Sequence, residues 1–581
     1  MSAPYGEHPA QDQRPALGGE IRYPQRAIVI ARVWVLVALG LTILMSIGRL
    51  RHTFVEEQPH GWACAHLAVM AHSLVVNGII PLHGVPIQNE GVLGVHPDIY
   101  SHWPPLYAIC LSFIERIFGD SEAVIFACGA ATALAFAAGW YWLMSMAGGE
   151  LRALAGTFAL LTLPIFVDRA HIWTVSACYA LMLISLRLAM AVWEDQRPSR
   201  LNLFLACLGI ICGVLVSWEA VLMAPGLLLA ALLLREKKLA RIALVLGLTA
   251  ALACAMFLIV CIGASPDLRT ELVATLKYRT GSQYAAGLSL NSIADTMLYS
   301  TQPSTRDFLQ KAYERLEAFG MIGIASVFVF GWRVWKGRKS KEERKLFVLF
   351  TTFAFVCIAW FSAFPNHIYM HDYQWLLLAP LAAMGIGELL RWIWLKPETL
   401  FSPVAVRVFG LLLPAFLILS LAGVAIFMLI RHPKEEPWLI SYAQEVRQNT
   451  PANAVIGSPE MTLEVPYYAQ RHIVRGIQND ELVALLREHA DEFPASPVMV
   501  AIPRGEIASF PCTLAAFPHT ELKSGILLNL KDKPKSSLDG ANCTTMHRLG
   551  AMGSPKASGL GNDVSEERRL AATPPRDVTS H

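Results

Sequence analysis

Long apolar runs separated by short polar connectors dominate the chain from residue 28 to residue 430. The runs lie near 28–47, 121–146, 151–167, 174–193, 201–217, 219–234, 239–263, 319–337, 346–363, 374–391 and 405–430. Each approaches the roughly 20 residues that a helix needs to cross the hydrocarbon of a bilayer. The pattern predicts an α-helical polytopic membrane protein with about eleven transmembrane helices. Beyond the last run the pattern changes to short apolar stretches of strand length at 454–456, 472–474, 497–501 and 526–528, with a helical pattern at Leu482 to His489. A small α/β domain is therefore expected over residues 432–530, followed by a Ser-, Gly-, Pro- and Lys-rich tail over 531–581 that is expected to be disordered.

Composition supports this division. Of the 581 residues, 54% are hydrophobic and 16% charged, against about 25% charged in an ordinary soluble domain. This excludes a disordered chain, a disulfide scaffold and a collagen-like repeat. The formal net charge of +3 gives no reason to expect nucleic acid as a partner. Cys110, Cys128, Cys178, Cys207, Cys212, Cys254, Cys261 and Cys357 lie in or beside apolar runs, where a thiol packs as a small hydrophobe. Only Cys512 and Cys543 fall in the polar C-terminal region, where a bridge between them is open.

Charge informs more by position than by sum. Arg235, Lys237, Lys238 and Arg241 share one connector, and Arg333, Lys336, Arg338, Lys339, Lys341, Arg344 and Lys345 share another. Short loops rich in Lys and Arg stay on the cytoplasmic side. Alternation then places the N-terminal segment 1–27 inside and the C-terminal domain outside the cytoplasm. That N-terminal segment is too long and Pro-rich for a signal peptide's charged region, so the first run is expected to be a retained anchor. The host is expected to be a bacterial cytoplasmic (inner) membrane. Two long loops, 48–120 and 264–318, fall on the outer face of the membrane domain 28–431. Nucleotide-activated substrates are normally absent there, so group transfer on that face needs a lipid-linked or exported donor.

The first outer loop carries the most information. It opens with Val55-Glu56-Glu57-Gln58-Pro59-His60-Gly61-Trp62 and continues into Ala63 to Asn77. In that stretch Leu67, Met70, Leu74 and Val75 recur at helical spacing, which predicts a helix along the membrane surface. The loop closes with His96-Pro97-Asp98-Ile99-Tyr100-Ser101-His102-Trp103-Pro104-Pro105, and a second amphipathic stretch ends at Phe118-Gly119. These segments resemble the integral-membrane glycosyltransferases of the GT-C superfamily, particularly bacterial dolichyl-phosphate-mannose mannosyltransferase-like, RgtA-like and ArnT-like members. The matching residues are Glu56-Glu57 with His60-Gly61-Trp62, Gly78, Tyr100 to Pro105, and Phe118-Gly119. His371-Asp372-Tyr373, ahead of a run containing Pro380, resembles a further turn of that superfamily. The first-loop acid is often Asp in those enzymes, whereas this chain offers two glutamates.

The resemblance implies transfer of a sugar from a polyprenyl-phosphate-linked donor to a lipid, glycan or protein acceptor, among membrane lipids. Such chemistry needs a base for the acceptor hydroxyl and cationic or hydrogen-bonding groups for the departing phosphate. Glu57 or Glu56 is the candidate base; the alternative is a solvated loop start. Asp98, with His96, Tyr100 and His102, forms a second polar cluster that could bind sugar hydroxyls or a divalent cation such as Mg or Mn. The seven histidines from His52 to His102 follow no metal-binding spacing. Asp168 matches a second-loop acid of the superfamily, or simply pairs with Arg169. His60 and Trp62 belong to the matched motif and are candidate substrate contacts, as is Glu219, which lines an acceptor cavity or caps a span end. Lys277 and Arg279 are candidates for holding the donor phosphate, against ordinary attraction to anionic headgroups. His371, with Asp372 and Tyr373, is a further candidate donor or a structural turn. The competing classes are a transporter or lipid flippase, which would be expected to carry polar or broken mid-span segments, and a non-catalytic envelope assembly protein.

Overall fold

The computed structural model describes residues 25–56, 61–87, 100, 103–195, 199–264, 320–395, 403–430, 437–460, 464–475, 496–509 and 517–531, with the short pieces 272–273, 276–277, 279–280 and 309–310. The helical pattern expected at Leu482 to His489, the tail beyond residue 531, Cys512 and Cys543 lie outside the described residues.

Every apolar run is helical. The helices are α1 (Gln25–Arg49), α2 (Gly61–Asn77), α3 (Leu106–Phe118), α4 (Glu122–Gly148), α5 (Glu150–Thr162), α6 (Pro164–Arg169), α7 (Trp173–Glu194) and α8 (Arg200–Val216). They continue with α9 (Met223–Leu234), α10 (Lys237–Ala264), α11 (Gly320–Gly337), α12 (Lys341–Ala363), α13 (Pro365–Met370), α14 (Ala379–Leu395) and α15 (Pro403–Ile430). Among the described residues seven helical stretches are long and apolar enough to cross a membrane, and α8 and the Trp218–Leu234 segment are shorter apolar helices. Their ends follow from local chemistry. Ser121, Ser199 and Ser340 cap α4, α8 and α12 by accepting from backbone N–H groups three residues on. Pro164 and Pro365 open α6 and α13, where a missing N–H costs nothing.

The helices differ in what surrounds them. In α1, α10 and α15 only 22%, 28% and 17% of the most apolar window is buried within the protein, whereas α7 has 67%. The first three form the lipid-facing rim and α7 the centre. Helix contacts inside the bundle rely on small residues. Gly387 of α14 lies so close to α5 that a Cβ would stand 2.6 Å from the Gly156 Cα, the small-residue approach that lets membrane helices interlock.

The two ends of the bundle are chemically distinct. At the basic end Glu388 of α14 accepts from Arg152 at 3.0 Å, Arg333 at 2.5 Å and Arg391 at 3.0 Å, while Glu343 pairs with Arg152 and Arg333 at 3.1 Å each. Arg344 pairs with Glu236, and Lys345 with Glu194. The other end carries α2, α3, α13 and the C-terminal domain. α2 is helical as expected, and the rest of the protein covers most of it: Leu67, Met70 and Leu74 are buried, and so are Ala63, Cys64, Ala65, Ala68, Val69 and Ala71. The small side chains on its remaining faces let α3 and the C-terminal domain close over it.

That domain contains α16 (Trp438–Asn449), α17 (Glu464–Ala469) and strands β1 (Val455–Ser458), β2 (His472–Arg475), β3 (Val498–Pro503), β4 (His519–Glu521) and β5 (Gly525–Asn529). The sheet order is β2-β1-β3-β5-β4, parallel across β2-β1-β3 and antiparallel beyond. Val455 pairs with His472 and Val498, and Val500 with Leu528. The four strands read from the sequence are present. The three-residue β4, exposed throughout, carries no apolar pattern to reveal it. Tyr442 of α16 donates to the Ala501 carbonyl at 2.8 Å and packs with Leu439, Val446, Ile456, Ile473 and Leu527. Val55 of the first loop packs against this core.

Candidate active site

Where α1 ends, the chain turns sharply. Thr53 donates to Glu56 Oε2 through its N–H at 2.7 Å and its hydroxyl at 3.0 Å, so this carboxylate closes the turn from within. The next N–H, of Phe54, donates to Glu122 Oε1 at 2.9 Å, and the Tyr468 hydroxyl donates to the same oxygen. Glu57 and His60 lie outside the described residues, as do Asp98 and His102 and the side chain of Asp372.

The residues that do converge are aromatic and cationic. Trp62, at the start of α2, lies 5.7 Å from His371 between ring centroids, and His371 lies 5.3 Å from Tyr373 and 4.4 Å from His367. His367 in turn lies 5.4 Å from Trp103. The guanidinium of Arg279 sits 5.1 Å above the Trp103 ring, a cation–π geometry that fixes the plane of the charge. Arg279 is buried while Lys277 is exposed. Two residues apart on a helix, they point to different sides, and only Arg279 enters the cluster.

Behind these rings the bundle supplies an acid. After α8 the chain forms a 3-10 turn, Trp218–Leu222, that buries Glu219 to 1% exposure. The Ser217 hydroxyl donates to Glu219 Oε2. Arg279 acts on Glu219 through its charge, and the Gln374 side chain, fully buried in a second 3-10 turn at Asp372–Leu378, faces it. Glu219 Oε1 is buried beside the Gln374 amide, which acts on it as a hydrogen-bonding neighbour. A buried carboxylate oxygen with spare accepting capacity is usually completed by water or by a ligand. Sequence reasoning passed over Trp103, His367 and Gln374 as site residues. For His367 a signal exists, since it lies four residues before His371, the residue that ends α13, and the two imidazoles stand 4.4 Å apart.

Two other candidates make contacts of their own. Asp168, with its side chain 57% exposed, forms an ion pair with Arg169 at 3.0 Å, the structural alternative foreseen for it. Tyr100 is buried edge-on against His66, 4.5 Å between centroids, and its N–H donates to the Pro86 carbonyl at 2.8 Å. These contacts fix the loop there.

A second polar group sits between α2 and α3. His72 Nδ1 lies 2.5 Å from Glu115 Oε1 and 3.7 Å from Asp120 Oδ2. Burial opposes charge on His72, but the hydrogen bond and charge of Glu115, with the charge of Asp120, outweigh it and raise its pKa. Burial also raises the pKa of Glu115, against the pull of His72. At the basic half of the bundle a crevice of about 360 Å³ is lined by Leu229, Trp335, Phe347, Phe350 and Ile358 among others. It holds no titratable group, so it is a packing groove and not a reaction chamber.

No family model matches the chain, and no curated protein matches it in sequence. Solved structures do match. The crystal structure of ArnT from Cupriavidus metallidurans bound to undecaprenyl phosphate superposes with a TM-score of 0.55 at 15% identity, over 88% of this chain and 99% of the other. The apo oligosaccharyltransferase of Archaeoglobus fulgidus gives 0.52 at 13% identity, over 83% of this chain and 70% of that one. The same archaeal enzyme in complex with Zn and sulfate gives 0.50 at 15% identity, over 83% and 68%. All three are GT-C membrane glycosyltransferases. The chain thus has the GT-C fold, with a membrane-embedded helical body and an α/β domain closing one end.

Proposed function

We propose that this protein is a glycosyltransferase that moves a sugar from a polyprenyl-phosphate-linked donor to a lipid, glycan or protein acceptor on the outer face of the cytoplasmic membrane. The observation that carries this reading is the convergence of Arg279, Trp103, His367 and His371 on the buried Glu219 and Gln374. Its setting in a fold shared with a protein bound to undecaprenyl phosphate supports the choice of donor.

In this reading the acceptor oxygen attacks the anomeric carbon as the bond from that carbon to the phosphate oxygen breaks. The acceptor proton passes to a carboxylate, and polyprenyl phosphate departs with the electron pair. Arg279 stabilises the charge gathering on the phosphate, and its stacking on Trp103 holds the guanidinium ready without reorganisation. His371 is a second donor to the phosphate. Trp62 and Tyr373 offer flat apolar faces to a sugar ring. Glu56 already serves the Thr53 turn, which makes Glu57 the preferred base. Lys277 faces outward and serves anionic headgroups.

The test uses the full chain in lipid nanodiscs with undecaprenyl phosphate as probe. R279A is expected to weaken binding by about 10- to 100-fold, the worth of one charge-assisted hydrogen bond, with normal folding. Mass spectrometry of glycolipids and glycans from cells with and without the gene would identify the sugar. Unchanged binding by R279A removes its role, and identical glycoconjugates in both cells point to transport.

A further inference from the structure

The His72–Glu115–Asp120 group belongs to none of the chemistry above. It lies ten residues along α2 from Trp62, where α3 and the C-terminal domain meet. His72 projects from the middle of α2 and Glu115 from the last turn of α3. Asp120 follows Gly119, whose φ of +87° is a conformation reserved for glycine. The Gly119 N–H donates to the Glu115 carbonyl at 2.7 Å. This turn brings the second carboxylate back beside the first.

One imidazole nitrogen and two carboxylate oxygens lie within 4.8 Å of one another. Glu115 has a side chain only 3% exposed, yet its Oε2 is buried without a hydrogen-bond partner. A carboxylate buried this deeply with an open oxygen is costly unless something positive completes it. Ligands 2.0–2.2 Å from a tetrahedral zinc ion stand about 3.4 Å apart. The observed separations of 2.5 and 3.7 Å straddle that value, so small side-chain movements would seat an ion.

We infer that His72, Glu115 and Asp120 form a site for a divalent transition-metal cation of the zinc class, tying α2 to α3 beneath the C-terminal domain. A nitrogen ligand and only three protein ligands disfavour Mg²⁺ and Ca²⁺, which prefer shells of oxygen. A water would complete four-coordination. The bound ion takes the place of the proton that His72 and Glu115 share, so binding releases it. The ion's role is structural. It lies under the Tyr467 hydroxyl, which approaches Asp120, and it would hold the platform on which the outer domain rests.

The full chain, purified in detergent and passed through a chelating column, is titrated with Zn²⁺ and analysed by elemental mass spectrometry. One equivalent should remain after gel filtration, and the melting temperature should rise with Zn²⁺ but not with Mg²⁺. E115Q preserves shape and should weaken Zn²⁺ binding by at least 100-fold; the double variant H72A/E115Q should retain none. Because the double variant risks misfolding, Co²⁺ is also added to the wild-type chain, where visible ligand-field bands should appear and vanish on Zn²⁺ addition. Absence of retained zinc and of a Co²⁺ spectrum, or equal zinc in wild type and E115Q, overturns the assignment.

Discussion

Glu388 shows how much a single side chain can carry in a membrane protein. Its carboxylate is 7% exposed and accepts from Arg152, Arg333 and Arg391. Removing it leaves three guanidinium groups crowded around an empty position, at a cost of about 3–5 kcal/mol. E388A is therefore expected to lower the melting temperature of the purified protein markedly, and E388Q to lower it less; a melt like that of the wild type would show the network to be dispensable. The sequence predicted basic connectors at this end but not that their charges are spent on internal acids, because Arg152 reaches Glu343 and Glu388 from 191 and 236 positions away. Arg279 tells the complementary story. Its residue type and loop were legible, yet its separation from Lys277 required the helical rotation between them, and its partner Trp103 was hidden in a motif valued for its prolines.

Helices were the most legible elements, since a bilayer demands long apolar runs and little else satisfies it. What the runs concealed is how they begin. Two of them open as 3-10 turns, at Trp218–Leu222 and Asp372–Leu378, and these tighter turns are what sink Glu219 and Gln374 into the protein. Irregular starts have no hydropathy signature, so the site's polar floor could not be read in advance. The sequence likewise could not show how much of α2 the rest of the protein covers, because its extra alanines have the same apolarity whether covered or not. Helix packing gives a test at this scale. With backbone atoms of Gly156 2.6–2.8 Å from a Cβ at position 387, G387A must push α14 from α5. A loss of about 1–3 kcal/mol is expected, read as a lower melting temperature; unchanged stability would mean that the two helices do not touch there.

For the molecule as a whole, the C-terminal domain has its own acid sensitivity. Burial lowers the pKa of His472 to about 4, so this imidazole is neutral in the native state. Below its unfolded value of about 6.5 the unfolded chain binds a proton that the native chain refuses. Stability is complete above that pH and falls toward pH 4, by about 3 kcal/mol from this group. Hydrogen-exchange protection of residues 455–475, corrected for intrinsic rates, should decline between pH 7 and pH 5 and should not decline in H472L. Equal decline in both chains would assign the sensitivity elsewhere.

The Tyr468 hydroxyl reaches across to Glu122, the same oxygen that receives the Phe54 N–H, one turn ahead of the acidic pair at 56 and 57. Three distant parts of the polypeptide are thereby knotted at one atom. A truncated chain ending near residue 431 would keep its hydrophobic body but lose the fastener on that knot, so the last quarter of the protein is no detachable accessory.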